Sequence, residues 1–127
     1  MAPRGAVLDF VIDIRLGSPT FGQWDSVLLD DKDRRALYVA EGLGHCFVAL
    51  TADATVSYLV TDVYTPTREH GINPLDSDIA LAFPVPEDEL LLSPKDTDAP
   101  GLAEAQASGL LPTWDAARDF YASLDHK

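Results

Sequence analysis

The sequence predicts an all-β domain with short helices confined to its C-terminal part, and three observations predict it. Apolar and polar residues alternate in short runs, most cleanly from Val7 to Ile14. Successive runs follow at close spacing across glycine-rich or charged turns, which suits an antiparallel sandwich or small barrel rather than α/β layers. Helical signals come late, beyond Leu102. With 127 residues, 46% hydrophobic and 24% charged, the chain is sized and composed for one globular domain, and wholesale disorder is excluded.

From Val7 to Ile14, period two puts Leu8, Phe10, Ile12 and Ile14 on one face and Val7, Asp9, Val11 and Asp13 on the other, a half-buried strand. Gly17-Ser18-Pro19-Thr20-Phe21-Gly22 is turn chemistry. Trp24 to Leu29 reads as a second strand and Asp30 to Asp33 as a polar connection. Ala36 to Val39 reads as a third, closed by the Glu41-Gly42-Leu43-Gly44 turn, followed by strands at His45 to Leu50 and Thr55 to Thr61. Pro84 to Asp96 reads as a long surface segment with one strand-like anchor at Leu90-Leu91-Leu92. Leu102 to Ser108 before Gly109 has the length and stop of a short helix. Thr113 is placed to cap a last helix whose Trp114, Ala117, Tyr121 and Leu124 share a face.

Nine basic against 21 acidic residues give a net charge of −12. Such a field repels nucleic-acid backbones and anionic membranes, so neither is expected as a partner. A local cluster of cations can still bind a phosphorylated small molecule. No apolar run approaches the roughly 20 residues that span a bilayer. Asp9 and Asp13 interrupt anything like a signal-peptide core, and a single cysteine, Cys46, can form no internal disulfide. A soluble cytoplasmic protein is the expectation.

Few groups stand out as chemical on pattern alone. His45 opens a strand after a glycine turn, but a lone histidine beside Cys46 and Phe47 is more often packed than catalytic. His70 and His126 are remote, no H-x-H pair exists, and no metal is expected. No G-x-S-x-G, P-loop or G-x-G-x-x-G is present. Tyr58 shares a strand face with Val56 and Val60, which fits a core or rim tyrosine as well as a phenol able to give a proton. Lys95-Asp96 lies in a proline-flanked loop, either a surface ion pair or a functional loop on a β scaffold.

Ordered motifs along nearly the whole chain resemble the dTDP-4-dehydrorhamnose 3,5-epimerase family of cupin-like nucleotide-sugar epimerases. They run through Val11-Ile12-Asp13-Ile14-Arg15-Leu16-Gly17-Ser18-Pro19-Thr20-Phe21-Gly22, Trp24-Asp25-Ser26-Val27-Leu28-Leu29-Asp30-Asp31 and Tyr38-Val39-Ala40-Glu41-Gly42-Leu43-Gly44-His45-Cys46-Phe47. Val56-Ser57-Tyr58-Leu59, Tyr64-Thr65-Pro66, Arg68-Glu69-His70-Gly71-Ile72, Leu92-Ser93-Pro94-Lys95-Asp96 and Ala107-Ser108-Gly109-Leu110-Leu111-Pro112 continue them. The resemblance implies a cupin-like jelly-roll barrel, a homodimer, and action on dTDP-4-keto-6-deoxy-D-glucose with no metal or organic cofactor. The implied chemistry removes a proton at C3 and C5, each α to the C4 ketone, and returns one from the opposite face. By motif position, Tyr58 is implied as the proton donor and Asp96 as the carboxylate that orients the base histidine. His45, Glu69 and Lys95 are implied to bind substrate, as are Tyr64, an aromatic lining, and Asp9, on the strand face of Asp13.

One departure follows from the same resemblance. The family's base histidine sits in an R-G-L-H motif upstream of the strand that starts here at Val7, and these 127 residues contain no R-G-L-H. The implied domain, 1–127, is thus a single jelly-roll epimerase domain lacking the family's N-terminal portion, with a catalytically inactive remnant that binds a nucleotide sugar or a partner subunit as the rival reading. The expected outcome is that these 127 residues alone leave the C3 and C5 protons of dTDP-4-keto-6-deoxy-D-glucose unexchanged in D2O, followed by NMR. Rapid exchange would show that the missing histidine is not required.

Overall fold

The structure, a computed structural model, describes residues 1–61, 63, 65 and 69–124. Its framework is a three-stranded antiparallel sheet of β1 (Ala6–Asp13), β2 (Trp24–Asp30) and β3 (Leu43–Ala49), in the order β2-β1-β3. Three short helices follow: α1 (Pro94–Thr97), α2 (Leu102–Ala107) and α3 (Trp114–Leu124). The antiparallel sheet and the late helices agree with the sequence expectation.

The alternation in β1 sets both faces. Phe10 and Ile12 point into a core with Ile79, Leu102, Ala105 and Leu111, flanked by Trp24, Cys46, Val48 and Phe83. Phe10 meets Trp24 and Phe83 edge-on, each at 5.5 Å between ring centroids. On the other face, Val7 and Leu29 pack with Ala2, Leu37, Ala54 and Val56. The strand is therefore buried on both sides and not half-buried, because it lies between two partners and is covered above and below. Gly5 permits the lower cover. Its φ is +73°, and a Cβ there would lie 2.3 Å from Thr51 Oγ1 and 2.9 Å from Ala54 Cα.

Two carboxylates hold the loops to this core. Asp76 Oδ2 accepts from Leu102 N–H at 2.5 Å and Oδ1 from Asp78 N–H at 3.1 Å, which docks the start of α2 on the segment carrying Ile79. Asp13, 5% exposed at the end of β1, gathers the following turn. Arg15 Nε and Nη2 each donate to it at 3.0 Å, Ser18 Oγ at 2.5 Å, and Thr20 Oγ1 also donates. The Arg15 guanidinium then lies 4.5 Å from the Trp114 ring centre, fastening α3 to the same turn.

Several expected elements take another form. Ala36 to Val39 pairs in no ladder among the described residues. Leu37 packs into the lower core, and the Tyr121 hydroxyl accepts from Glu41 N–H at 2.6 Å. Side chains thus replace the ladder. Thr55 to Thr61 keeps one bridge, Arg4 with Thr55, and Ser57 N–H donates to Met1 O at 2.9 Å; Tyr58 to Val60 lie exposed. Leu90 to Leu92 is a wall rather than a strand, following a 3-10 turn at Glu87–Glu89. Ser93-Pro94 starts a one-turn helix where a loop was expected, because Ser93 Oγ accepts from Asp96 N–H and proline suits the first helical position. The C-terminal helices form as expected, with Thr113 Oγ1 accepting from Ala116 N–H at 3.1 Å, although Leu124 stays exposed.

Burial by itself would raise the Asp13 pKa, but hydrogen bonds from Arg15, Ser18 and Thr20 outweigh it and hold the carboxyl far below its ordinary 3.8. A carboxylate depressed on folding stabilises the fold above its unfolded pKa and loses that contribution as pH falls through and below 3.8. Asp13→Asn is expected to cost about 3 kcal/mol at pH 7, since it strands a buried guanidinium. Urea denaturation at pH 7, 4 and 2.5 should also show a shallower acid loss in the variant. An acid slope equal to wild type would remove Asp13 as its source.

Candidate functional site

The site begins with register. Antiparallel pairing sets Asp9 opposite Phe47 and Val11 opposite His45, so Asp9 and His45 are diagonal neighbours on one face of the sheet. The diagonal is bridged: His45 Nε2 lies 2.8 Å from Asp9 Oδ2. Asp9 is 3% exposed, and its Oδ1 has no hydrogen-bond partner among the described residues. The Phe47 ring flanks the imidazole, centroids 5.8 Å apart.

β3 forms the outer side of the described sheet, and a groove of about 630 Å³ runs along it. His45, Cys46 and Phe47 line it together with Phe83, Leu90, Leu92 and Asp96. α1 brings Asp96 there. Burial pushes the Cys46 thiol up to about 11, and the negative charges of Asp96 and Asp9 add to the effect. The groove is mainly apolar, with an imidazole and a carboxylate in its lining, an arrangement able to hold a polar ring and to hydrogen-bond its oxygens. Among the described residues no group of three His, Cys, Asp or Glu side chains gathers at one point.

The structure brings together three of the residues singled out in the sequence: His45, Asp96 and, behind His45, Asp9. It does not bring the others to the groove wall. Tyr58 is 69% exposed on the extended stretch after Thr55. Lys95 is exposed on α1 beside Asp96, and Glu69 is exposed. Tyr64 lies outside the described residues, as do Arg68 and His126. Sequence reasoning missed the apolar lining of Phe83, Leu90 and Leu92. The Leu90-Leu91-Leu92 run was its one visible sign, and Leu91 between them faces solvent.

Residues 1–104 match the profile of a family described as dTDP-4-dehydrorhamnose 3,5-epimerase. The chain belongs to that family. A dTDP-4-dehydrorhamnose 3,5-epimerase of Mycolicibacterium smegmatis is 58% identical over 122 residues, 95% of this chain and 59% of that protein. A dTDP-4-dehydrorhamnose 3-epimerase of Streptomyces niveus is 51% identical, over 87% of this chain and 53% of its own length. Among solved structures, a Mycobacterium tuberculosis epimerase superposes with a TM-score of 0.92 at 48% identity, covering 97% of this chain and 62% of that one. A 3'-monoepimerase of Streptomyces bikiniensis, solved in complex with dTDP-quinovose, gives 0.91 at 48% identity, covering 96% of this chain and 61% of that one. This dTDP-4-dehydrorhamnose 3,5-epimerase family member thus spans about half to three fifths of the length of these relatives. No helix among its described residues is long and apolar enough to cross a membrane.

A thiol with a pKa of about 11 is almost wholly protonated at pH 8. Cys46 should therefore be alkylated by iodoacetamide on the order of 100-fold more slowly than an unhindered cysteine. Asp96→Asn should speed the reaction by withdrawing one of the charges that hold the proton on. Mass spectrometry of timed aliquots gives both rates, and an unhindered rate in the wild-type chain would contradict the partial burial of Cys46.

Proposed function

We propose that this chain carries part of the active site of an epimerase acting on dTDP-4-keto-6-deoxy-D-glucose in deoxysugar biosynthesis. The observation that carries the reading is the meeting of His45 and Asp96, distant in sequence, on one groove in a chain of this family. Inversion at C3 is common to the names of both kinds of relative; inversion at C5 as well is proposed on the 58% identity with a 3,5-epimerase. The relatives carry epimerase names, which speaks against a binding-only remnant.

The reaction needs a base for the proton α to the ketone, an acid on the other ring face, and polar groups for the enolate oxygen. In this reading Asp96 orients and charges a base histidine carried in an R-G-L-H segment, and Tyr58 returns the proton. His45 contacts the sugar. Lys95 supplies the diphosphate with a cation that a chain of net charge −12 otherwise lacks there, while Glu69 and Tyr64 complete the nucleotide site. The chemistry draws on side chains alone, without metal or organic cofactor. The sheet described above forms one portion of a cupin-like jelly-roll barrel, and the working unit is a homodimer.

Binding and turnover test the reading separately. The 127-residue chain should bind dTDP in calorimetry, and Lys95→Ala should weaken that affinity about ten-fold, with a reduced dependence on salt. Joined to the R-G-L-H segment of a relative, the chain should exchange H3 of dTDP-4-keto-6-deoxy-D-glucose with D2O. In the joined protein Tyr58→Phe should slow deuterium entry at C5 about 100-fold while leaving dTDP affinity unchanged. A joined, folded chain without exchange, or an unaltered rate in Tyr58→Phe, would refute the assignment.

A further inference from the structure

The two outer edges of the sheet are finished differently. Backbone pairing alternates along β1: odd-numbered residues bond β2, as Asp13 N–H does to Gln23 O, and even-numbered ones bond β3, as Ala6 O does with Leu50 N–H. The outward groups of β2 therefore belong to Trp24, Ser26, Leu28 and Asp30, and two of them are covered. Leu28 O accepts from Arg35 Nη2 at 2.8 Å and Asp30 O from Arg34 N–H at 3.0 Å, while Asp25 and Asp30 put charge on the strand. A charged, capped edge resists pairing with another chain.

β3 has none of this protection. Its outward groups belong to Leu43, His45, Phe47 and Ala49, and those of the last three make no hydrogen bond among the described residues. All three residues are exposed, and the groove runs alongside them, which leaves the edge accessible. Leu43–Ala49 contains no Asp, Glu, Lys, Arg or Pro, in a chain of net charge −12. Along such a neutral edge two acidic chains meet with least repulsion. The strand also complements itself. Laid antiparallel on a second copy so that all 7 residues overlap, His45 meets Phe47 of the second copy and Cys46 meets its own counterpart. Outward groups then face outward groups in about six hydrogen bonds, Leu43 N–H being already taken by Ala40 O. We propose that β3 is a self-association edge, pairing with β3 of a second copy about a two-fold axis at Cys46 and joining two three-stranded sheets into one.

Sedimentation equilibrium of the 127-residue chain tests the edge. A concentration-dependent dimer is expected, tightening as added salt screens the repulsion between the chains. A monomer at millimolar concentration, or a dimer that weakens with salt, overturns the proposal. Ala49→Pro removes one outward N–H per copy without touching the β1 ladder, and Phe47→Lys sets a charge on the edge. Each should weaken dimerisation about 30-fold. Wild-type affinity in either variant, folded by circular dichroism, overturns the surface. The register needs no variant, because directly opposed residues of this type lie about 4.5 Å apart at Cα, within disulfide reach. Diamide, which takes up the two electrons and two protons of the paired thiols, should link the dimer through Cys46, the chain's single cysteine. A dimer that resists linkage overturns the register. The proposal shares with the function above only the homodimer; a dimer through another surface would leave that reading standing and overturn this one.

Discussion

The double pairing of β1 is the constraint on which the rest of the molecule depends. Because β1 bonds β2 on one side and β3 on the other, every residue along it has a fixed face and fixed neighbours. A slip of one residue would send Phe10 and Ile12 away from Leu102 and Ala105 and would turn Asp9 and Asp13 into the apolar core. The penalty for two uncompensated carboxylates there far exceeds what a few misplaced aliphatic contacts could return. The register is thus enforced from both faces, by apolar packing on one and by charged partners on the other.

The end of β1 passes that order to the remainder of the chain. Asp13 anchors the Arg15–Thr20 turn, Arg15 carries the contact on to Trp114, and Leu16 exchanges backbone hydrogen bonds with Pro112 and Trp114, each at 2.8 Å. Tyr121 on α3 then receives Glu41 N–H just before β3 begins. A closed circuit results, from β1 through the turn to α3 and back to the start of β3. It explains how α3, whose 11 residues are too few to be a stable helix alone, is held in place.

How much of this was legible in the sequence differs by the kind of information required. The residue sets on the two faces of β1, the cap at Thr113 and the stop at Gly109 are local properties, written in residues a few positions apart, and the structure agrees with them; that β1 is buried on both sides depends on distant segments. A ladder is a pairwise property. Ala36 to Val39 and Val56 to Val60 have the composition of strands, yet composition cannot say whether a partner backbone lies alongside, and for most of both stretches none does among the described residues. The same limit hid the Asp9–His45 pair. The two are 36 residues apart, and only the β1–β3 register makes them diagonal neighbours. Asp96 stands in a recognisable motif, but its proximity to Cys46 depends on the one-turn helix that Ser93 and Pro94 initiate.

The charge distribution around the groove constrains how a nucleotide sugar could lie in it. Asp96 and Glu89 line the groove, and the chain as a whole is strongly acidic, so a diphosphate placed there would face carboxylates across a poorly screened, largely apolar space. An uncharged hexulose ring meets no such opposition, and hydroxyls can pair with the imidazole and the carboxylate. On the proposed reading the sugar therefore occupies the groove and the diphosphate stays outside it, toward the exposed Lys95, the chain neighbour of Asp96. A carboxylate-lined site that repels phosphate but accepts a sugar also orients its ligand, since the reverse pose would bring like charges together. In that arrangement the acidity of the chain contributes to recognition by excluding the wrong end of the ligand.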